Sequence, residues 1–289
     1  MTTESVMAKS AKSANPLASI PGTLVLIGAG KMGGALLEGW LARGLPPKKI
    51  VVIEPQPAKA IKALVKRGLR INPPIGGKRG IGDVAAMVVA VKPQTAPEAL
   101  PAVAGWVGAK TVVVSIMAGR TLRFLEDHLP GAAIVRAMPN TPAAIGRGIT
   151  VAVGNRRANP AARKLGHALL AATGAVEWVD DEGLIDASTA VSGSGPAYVF
   201  LLAESLARAG AAAGLPADLA ARLARVTVAG SGELLHQSPL DAATLRQNVT
   251  SPAGTTAAAL AVLMAADGLD PLMEKAVAAA TKRSRELAG

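Results

Sequence analysis

Apolar and polar positions change rhythm along this chain. Between Pro21 and Val179, short apolar runs alternate with stretches of helical spacing. Thr23–Ile27, Ile50–Ile53, Ala86–Val91, Thr111–Ile116, Ala133–Ala137 and Ile149–Val153 read as strands. Most are continuous apolar runs, the pattern of a sheet covered on both faces. Lys31–Arg43 and Pro57–Arg67 carry helical spacing between them. The alternation predicts βαβ units and a parallel sheet. After about Val179 the strand signals stop. Ala197–Ala213, Pro216–His236, Asp241–Asn248, Thr255–Ala266 and Pro271–Glu286 read as helices. Pro216 and Pro271 suit first-turn positions, and Gly214 and Gly268 suit helix ends. An α/β domain over 21–179 followed by an all-helical domain over 180–289 is the expected organisation. The helical faces are lined with Ala, and so thin a domain is expected to need a partner chain to bury them.

Residues 1–20 stand apart. They are rich in Ser, Ala and Lys, lack the apolar stretch of a secretory signal, and read as a disordered tail. An organelle transit peptide is disfavoured by Glu4 and the absence of Arg. No apolar run is long enough to span a membrane. A cytoplasmic protein with no membrane partner is expected.

Composition narrows the chemistry. The 289 residues include no Cys and only 3 His, which excludes disulfides, thiolate catalysis and a Cys-ligated metal and disfavours a His-rich one. No metal site is expected. The net charge of +11 is uneven: residues 1–170 hold 23 basic and 7 acidic side chains, whereas 171–289 hold 8 and 13. The basic half suits a polyanion, either nucleic acid or a phosphorylated cofactor. Aromatics make up 2% of the chain, too few for base stacking, so no nucleic-acid partner is expected.

Gly28-Ala29-Gly30-Lys31-Met32-Gly33 follows a strand at Ile27 and opens a helix, the context that a G-x-G-x-x-G dinucleotide fingerprint requires. Gly28 permits a tight turn, Gly30 lets a pyrophosphate approach the backbone, and Gly33 lets the helix pack on the strand. The same glycines also suit a purely structural turn. Glu54 ends the next strand, where a carboxylate accepts hydrogen bonds from the adenosine ribose and repels a 2′-phosphate. That geometry favours NADH over NADPH, unless Pro55 turns the side chain into solvent. Ala90-Val91-Lys92-Pro93 and Ser115-Ile116-Met117-Ala118-Gly119 end later strands, where open α/β sheets bind ligands. Met138–Pro142 is a rigid loop that suits ligand contact or a local turn equally. Ser192-Gly193-Ser194-Gly195-Pro196-Ala197-Tyr198 suits a hinge and lacks the context of a nucleophile elbow. Asn248-Val249-Thr250-Ser251-Pro252-Ala253-Gly254-Thr255-Thr256 opens a helix with hydroxyls and a glycine, fitting either a carboxylate cradle or ordinary capping.

Taken together, and in this order and spacing, these segments resemble the pyrroline-5-carboxylate reductase family from about Thr23 to Arg285. The resemblance implies a Rossmann domain, a helical dimerisation domain, a homodimer, and often a decamer built from dimers. It implies reduction of 1-pyrroline-5-carboxylate to L-proline by NADPH or NADH, the last step of proline biosynthesis. Carried over residue by residue, it implies cofactor contacts at Ile27, Gly28, Ala29, Gly30, Lys31, Met32, Gly33, Glu54, Ala90, Val91, Lys92, Pro93, Ala118 and Gly119. Substrate contacts fall to Glu182, Asn248, Ser251, Gly254, Thr255 and Thr256, with the Thr256 hydroxyl on the ring nitrogen as the catalytic contact.

Three positions depart from the family pattern. Ala253 replaces the first of two glycines in the carboxylate loop, Glu54 stands where NADPH-using relatives carry smaller or basic groups, and 76–82 replaces a more polar helical stretch. A β-hydroxyacid dehydrogenase is the competing enzyme reading. Its helical domain would supply a lysine as proton donor, and Val179–Leu272 contains none. A dinucleotide-sensing binding protein is the non-enzyme reading, and the substrate cradle argues against it.

Overall fold

The computed structural model describes residue 17, residues 20–75 and residues 81–288. The departure at 76–82 and the tail at 1–20 therefore lie largely outside the described residues. The two described positions of that tail, Leu17 and Ile20, are buried in the core, so the packed chain starts ahead of Pro21. The chain forms two compact units, the first running to Ile185 and including Leu287, the second spanning Asp186–Glu286.

The first unit is built on an eight-stranded sheet: β1 (Thr23–Ile27), β2 (Ile50–Ile53), β3 (Arg70–Ile71), β4 (Val84–Val89), β5 (Val112–Ser115), β6 (Ala133–Met138), β7 (Gly148–Gly154) and β8 (Gly174–Trp178). Their spatial order is β3-β2-β1-β4-β5-β6-β7-β8, and among the described residues β6 and β7 are the only antiparallel neighbours. The order reverses direction between β1 and β4, which opens a crevice at the carboxyl ends of those strands.

The period of two along β1 explains the layering. Leu24 and Leu26 enter one core, Val25 and Ile27 the other. The first core receives α1 (Lys31–Ala42), α2 (Lys59–Ala63) and, after α3 (Ala96–Val103) and α4 (Leu122–His128) have crossed the opposite face, α5 (Pro160–Leu170). Helix α1 buries Gly33, Leu36, Leu37 and Trp40, one stripe at helical spacing. The Trp40 Nε1–H donates to Leu169 O at 2.8 Å, locking α1 to the end of α5.

The predicted strands are all present, with ends shifted by up to two residues. Two strands escaped the sequence pattern. β3 is two residues long, and β8 is an edge strand whose alternating exposure gives no continuous apolar run. The helix expected over Pro57–Arg67 is α-helical only over Lys59–Ala63; Leu64–Arg67 tightens into a 3₁₀ turn that Gly68 ends at φ +93°.

The second unit is helical. It holds the end of α6 (Leu184–Ser188), a π turn at Thr189–Gly193, then α7 (Gly195–Ala212), α8 (Ala217–Gln237), α9 (Ala242–Asn248), α10 (Thr255–Leu263) and most of α11 (Leu269–Ala288). Small residues bring α7 and α8 together, with a Cβ at Gly210 lying only 3.3 Å from that of Ala220. The Ser284 hydroxyl donates to Asp186 Oδ1 at 2.6 Å and ties α11 to α6. Among the described residues, no helix is long and apolar enough to cross a membrane.

Candidate active site

The glycine turn sits at the reversal point. The Gly28 N–H donates to Ile53 O and the Ala90 N–H to Ile27 O, at 2.8 and 2.7 Å, so the turn is bonded to both flanking strands. Each glycine has a different duty. Gly28 has φ +85°, and a Cβ there would lie 2.7 Å from Ala90 O. A Cβ on Gly33 would collide with the Gly28 carbonyl oxygen. A Cβ on Gly30 would meet nothing within 4 Å. That open space lies at the N-terminus of α1, where Gly30 is the N-cap and no side chain caps the amides. Uncapped amides, the helix dipole and room for a bulky anion together fit a pyrophosphate. A cavity of about 690 Å³ opens beside the turn, lined by Ala29, Gly30, Lys31, Glu54, Gln56 and Ile61 among others.

Glu54 faces the turn. Its Oε2 accepts the Ala29 N–H at 2.8 Å and its Oε1 the Gln56 N–H at 3.1 Å. Asn72 clasps the Glu54 backbone from both sides: its Oδ1 accepts the Glu54 N–H and its Nδ2 donates to Glu54 O, each at 2.9 Å. Asn72 takes φ +46° to do so, a conformation Asn tolerates better than most residues. The sequence reading did not single out Asn72; its only local signal is the turn composition of Asn72-Pro73-Pro74.

Ala90–Pro93 and Ile116–Gly119 leave the carboxyl ends of β4 and β5, which pair side by side with Val89 opposite Ser115. Lys92 is exposed, and its carbonyl accepts the Thr95 N–H and hydroxyl. Gly119 takes φ +67°. Asn140 is buried, its Oδ1 accepting the Ile149 N–H at 3.0 Å, which is a local turn role. Glu182 is in this first unit. Its Oε1 accepts both Arg136 Nη1 at 2.6 Å and the Leu122 N–H at 2.7 Å.

In the second unit the chain brings Ser251, Gly254, Thr255 and Thr256 together at the start of α10. Asn248 ends α9 just before them. Gly254 is the N-cap, again without a side-chain cap, so the first amides of α10 are available to an anion. A Cβ on Gly254 would strike the Ser251 hydroxyl oxygen, so any other residue there would make that hydroxyl rotate out of its present place. At the start of α9, the Thr244 N–H bonds Asp241 Oδ1 at 2.7 Å and holds that carboxyl below its usual 3.8.

Ala253 takes φ +56°, a left-handed conformation that favours glycine and strains an alanine. Relief of that strain, offset by the freer unfolded chain, should make Ala253→Gly more stable by about 0.5–1 kcal/mol. Denaturant unfolding checks this; a less stable variant would mean that the Ala253 methyl contributes contacts exceeding the strain.

The family model described as pyrroline-5-carboxylate reductase dimerisation matches residues 182–287. A second, described as NADP oxidoreductase, coenzyme F420-dependent, matches 23–119. The pyrroline-5-carboxylate reductase of Synechocystis is 39% identical over 265 residues, covering 91% of this chain and 97% of that protein. The Pseudomonas aeruginosa reductase is 37% identical, covering 92% and 96%. Among solved structures, a pyrroline-5-carboxylate reductase from Coxiella burnetii superposes with a TM-score of 0.84 at 32% identity, over 93% of this chain and 99% of that one. A Plasmodium falciparum pyrroline carboxylate reductase, solved with NADP bound, gives 0.75 at 27% identity, over 93% and 99%.

The chain belongs to the pyrroline-5-carboxylate reductase family.

Membership makes it an oxidoreductase with a nicotinamide cofactor, and the Rossmann order of the first unit is the family's cofactor-binding part. The dimerisation model covers the whole second unit. There Phe200, Val226 and Val262 are 62, 70 and 72% exposed, and Ala190, Ala220 and Ala224 are its buried apolar residues. So little self-burial fits a unit that is completed by self-association.

Proposed function

We propose that this member of the family reduces 1-pyrroline-5-carboxylate to L-proline with NADH or NADPH, closing proline biosynthesis in the cytoplasm as a homodimer. The supporting observation is that the relatives match across both units, taking in the glycine turn at Gly28–Gly33 and the cradle at Ser251–Thr256 alike. The division of labour is a dinucleotide domain over 21–179 and a substrate and dimerisation domain over 180–289.

When bound, the nicotinamide cofactor supplies a hydride to the imine carbon. The C=N double bond becomes a single bond, and the nitrogen of the protonated imine keeps its proton. A protonated imine is already a good acceptor, so the chain needs no strong general acid, and its work is orientation and exclusion of water. The α10 amides and the Ser251 and Thr255 hydroxyls hold the substrate carboxylate, with Asn248 beside them. Thr256 places its hydroxyl on the ring nitrogen. In the first unit Ile27–Gly33 seat the cofactor phosphates, Glu54 takes the ribose side, and Ala90–Pro93 with Ala118 and Gly119 line the remainder. Glu54 favours NADH.

Thr256→Ala should lower kcat/KM for pyrroline-5-carboxylate by about tenfold or more, the worth of one hydrogen bond to a charged group. Steady-state kinetics beside the wild type checks it, and an unchanged kcat/KM would remove Thr256 from the chemistry. Sedimentation should find a dimer or a larger assembly of dimers at every concentration with activity. A stable, active monomer would contradict the homodimer.

A further inference from the structure

The loops that leave β4 and β5 contribute small residues to the cofactor site: Ala90, Val91, Pro93, Ala118 and Gly119. Such residues recognise a ligand through the shape of their backbone, so something must hold that backbone in place. Arg120 reaches from the β5 loop to the β4 loop and donates from both Nε and Nη2 to Pro93 O, at 3.0 and 2.9 Å. Its guanidinium lies 4.5 Å over the Phe124 ring, which packs on the second core from α4. The near end of the β5 loop is tied by the Ile116 N–H to Val89 O at 3.0 Å. The far end is tied by the Leu122 N–H to Glu182, which the buried Arg136 holds; their side chains are 5% and 30% exposed.

We propose that Arg120 is a positioning residue that locks the β4 and β5 loops into one surface for the nicotinamide half of the cofactor, with Glu182 and Arg136 anchoring the far end of the same loop. The proposal rests on the reductase reading above, because it needs a dinucleotide lying across the reversal point. With the pyrophosphate at the α1 N-terminus and the adenosine side at Glu54 beyond β2, the other half runs toward β4 and β5. Arg120 touches neither half; it acts through the Pro93 carbonyl. A fork of two donors on one acceptor, stacked on a ring, fixes position better than a single flexible ammonium does. Glu182, expected from the family resemblance to sit at the substrate, is on this view a support for the cofactor loop.

Two variants separate positioning from charge. Arg120→Lys keeps the charge and loses the fork; Arg120→Met loses both and keeps an apolar stem over Phe124. NADH affinity is read by cofactor fluorescence, ADP-ribose affinity by calorimetry, and folding by the thermal midpoint. Loss of a charged donor pair should weaken NADH binding about tenfold in the Met variant and about threefold in the Lys variant, with ADP-ribose affinity within about twofold of wild type. NADH binding unchanged in both variants would overturn the proposal. So would ADP-ribose weakening in step with NADH, since charge or general unfolding would then be the cause. A wild-type chain that binds no nicotinamide dinucleotide would sink the proposal together with the reading it rests on. One that binds NADH yet leaves pyrroline-5-carboxylate unreduced would sink that reading alone.

Discussion

Gly28→Val is expected to abolish cofactor binding and to destabilise the first unit by about 2–4 kcal/mol, combining left-handed strain with overpacking. The glycine has φ +85°, which a β-branched residue avoids. Its new Cβ would also lie 2.7 Å from Ala90 O and 2.9 Å from Val91 N. Both are backbone atoms of the peptide that follows the Ala90 N–H bond to Ile27 O, so neither can swing away as a side chain could. Gly30→Ala provides the contrast. A Cβ there meets nothing within 4 Å, and the backbone is extended at φ −68°. Stability should stay within about 0.5 kcal/mol of wild type, as for a surface change, while cofactor affinity falls at least tenfold because the methyl occupies the pyrophosphate's seat. Denaturant unfolding and cofactor titration on both variants test the pair. Wild-type affinity in Gly30→Ala would move the pyrophosphate elsewhere.

Cofactor choice should hinge on Glu54, with kcat/KM favouring NADH over NADPH by tenfold or more. The sequence left open whether Pro55 turns this carboxylate outward. The bonds from the Ala29 and Gln56 amides turn it toward the glycine loop, and Asn72 fixes the backbone behind it. A carboxylate oxygen that accepts one amide still has a lone pair for a ribose hydroxyl. A 2′-phosphate at that place would meet like charge, worth about 4 kcal/mol per unit charge at 4 Å and an effective dielectric of 20. The basic excess of residues 1–170 pulls the other way at long range, but physiological salt screens such a field beyond about 8 Å. The Plasmodium falciparum relative holds NADP, so in that protein the phosphate is accommodated. Glu54→Ser should narrow or reverse the preference here. An NADPH preference that the substitution leaves unchanged would show that the side chain takes no part in cofactor choice.

The elements that define the first unit were legible because burial on both faces leaves continuous apolar runs, as in β1 and β4. The glycine turn was legible because its context, strand then helix, is itself a sequence pattern. β8 was hidden because an edge strand exposes every second residue, and α3 because its Pro97 and Pro101 look like breakers. Pairings between residues far apart in the sequence left no local trace. Arg136 and Glu182 are 46 residues apart, and Arg120 and Pro93 are 27 apart, so the second pair exists only once β4 and β5 are laid side by side and the first only once β6, β7 and β8 are. Glu54 lay between these cases: its chemistry could be read from position, but its orientation depends on Asn72, 18 residues on.

Oxidation of NADH or NADPH by the purified full chain on adding 1-pyrroline-5-carboxylate is the most direct measurement. The predicted result is cofactor oxidation matched by L-proline formed, one for one, with no turnover of a 3-hydroxyacid in the presence of NAD or NADP. A chain that binds the cofactor yet oxidises none with pyrroline-5-carboxylate, or that turns over only the 3-hydroxyacid, would contradict the assignment.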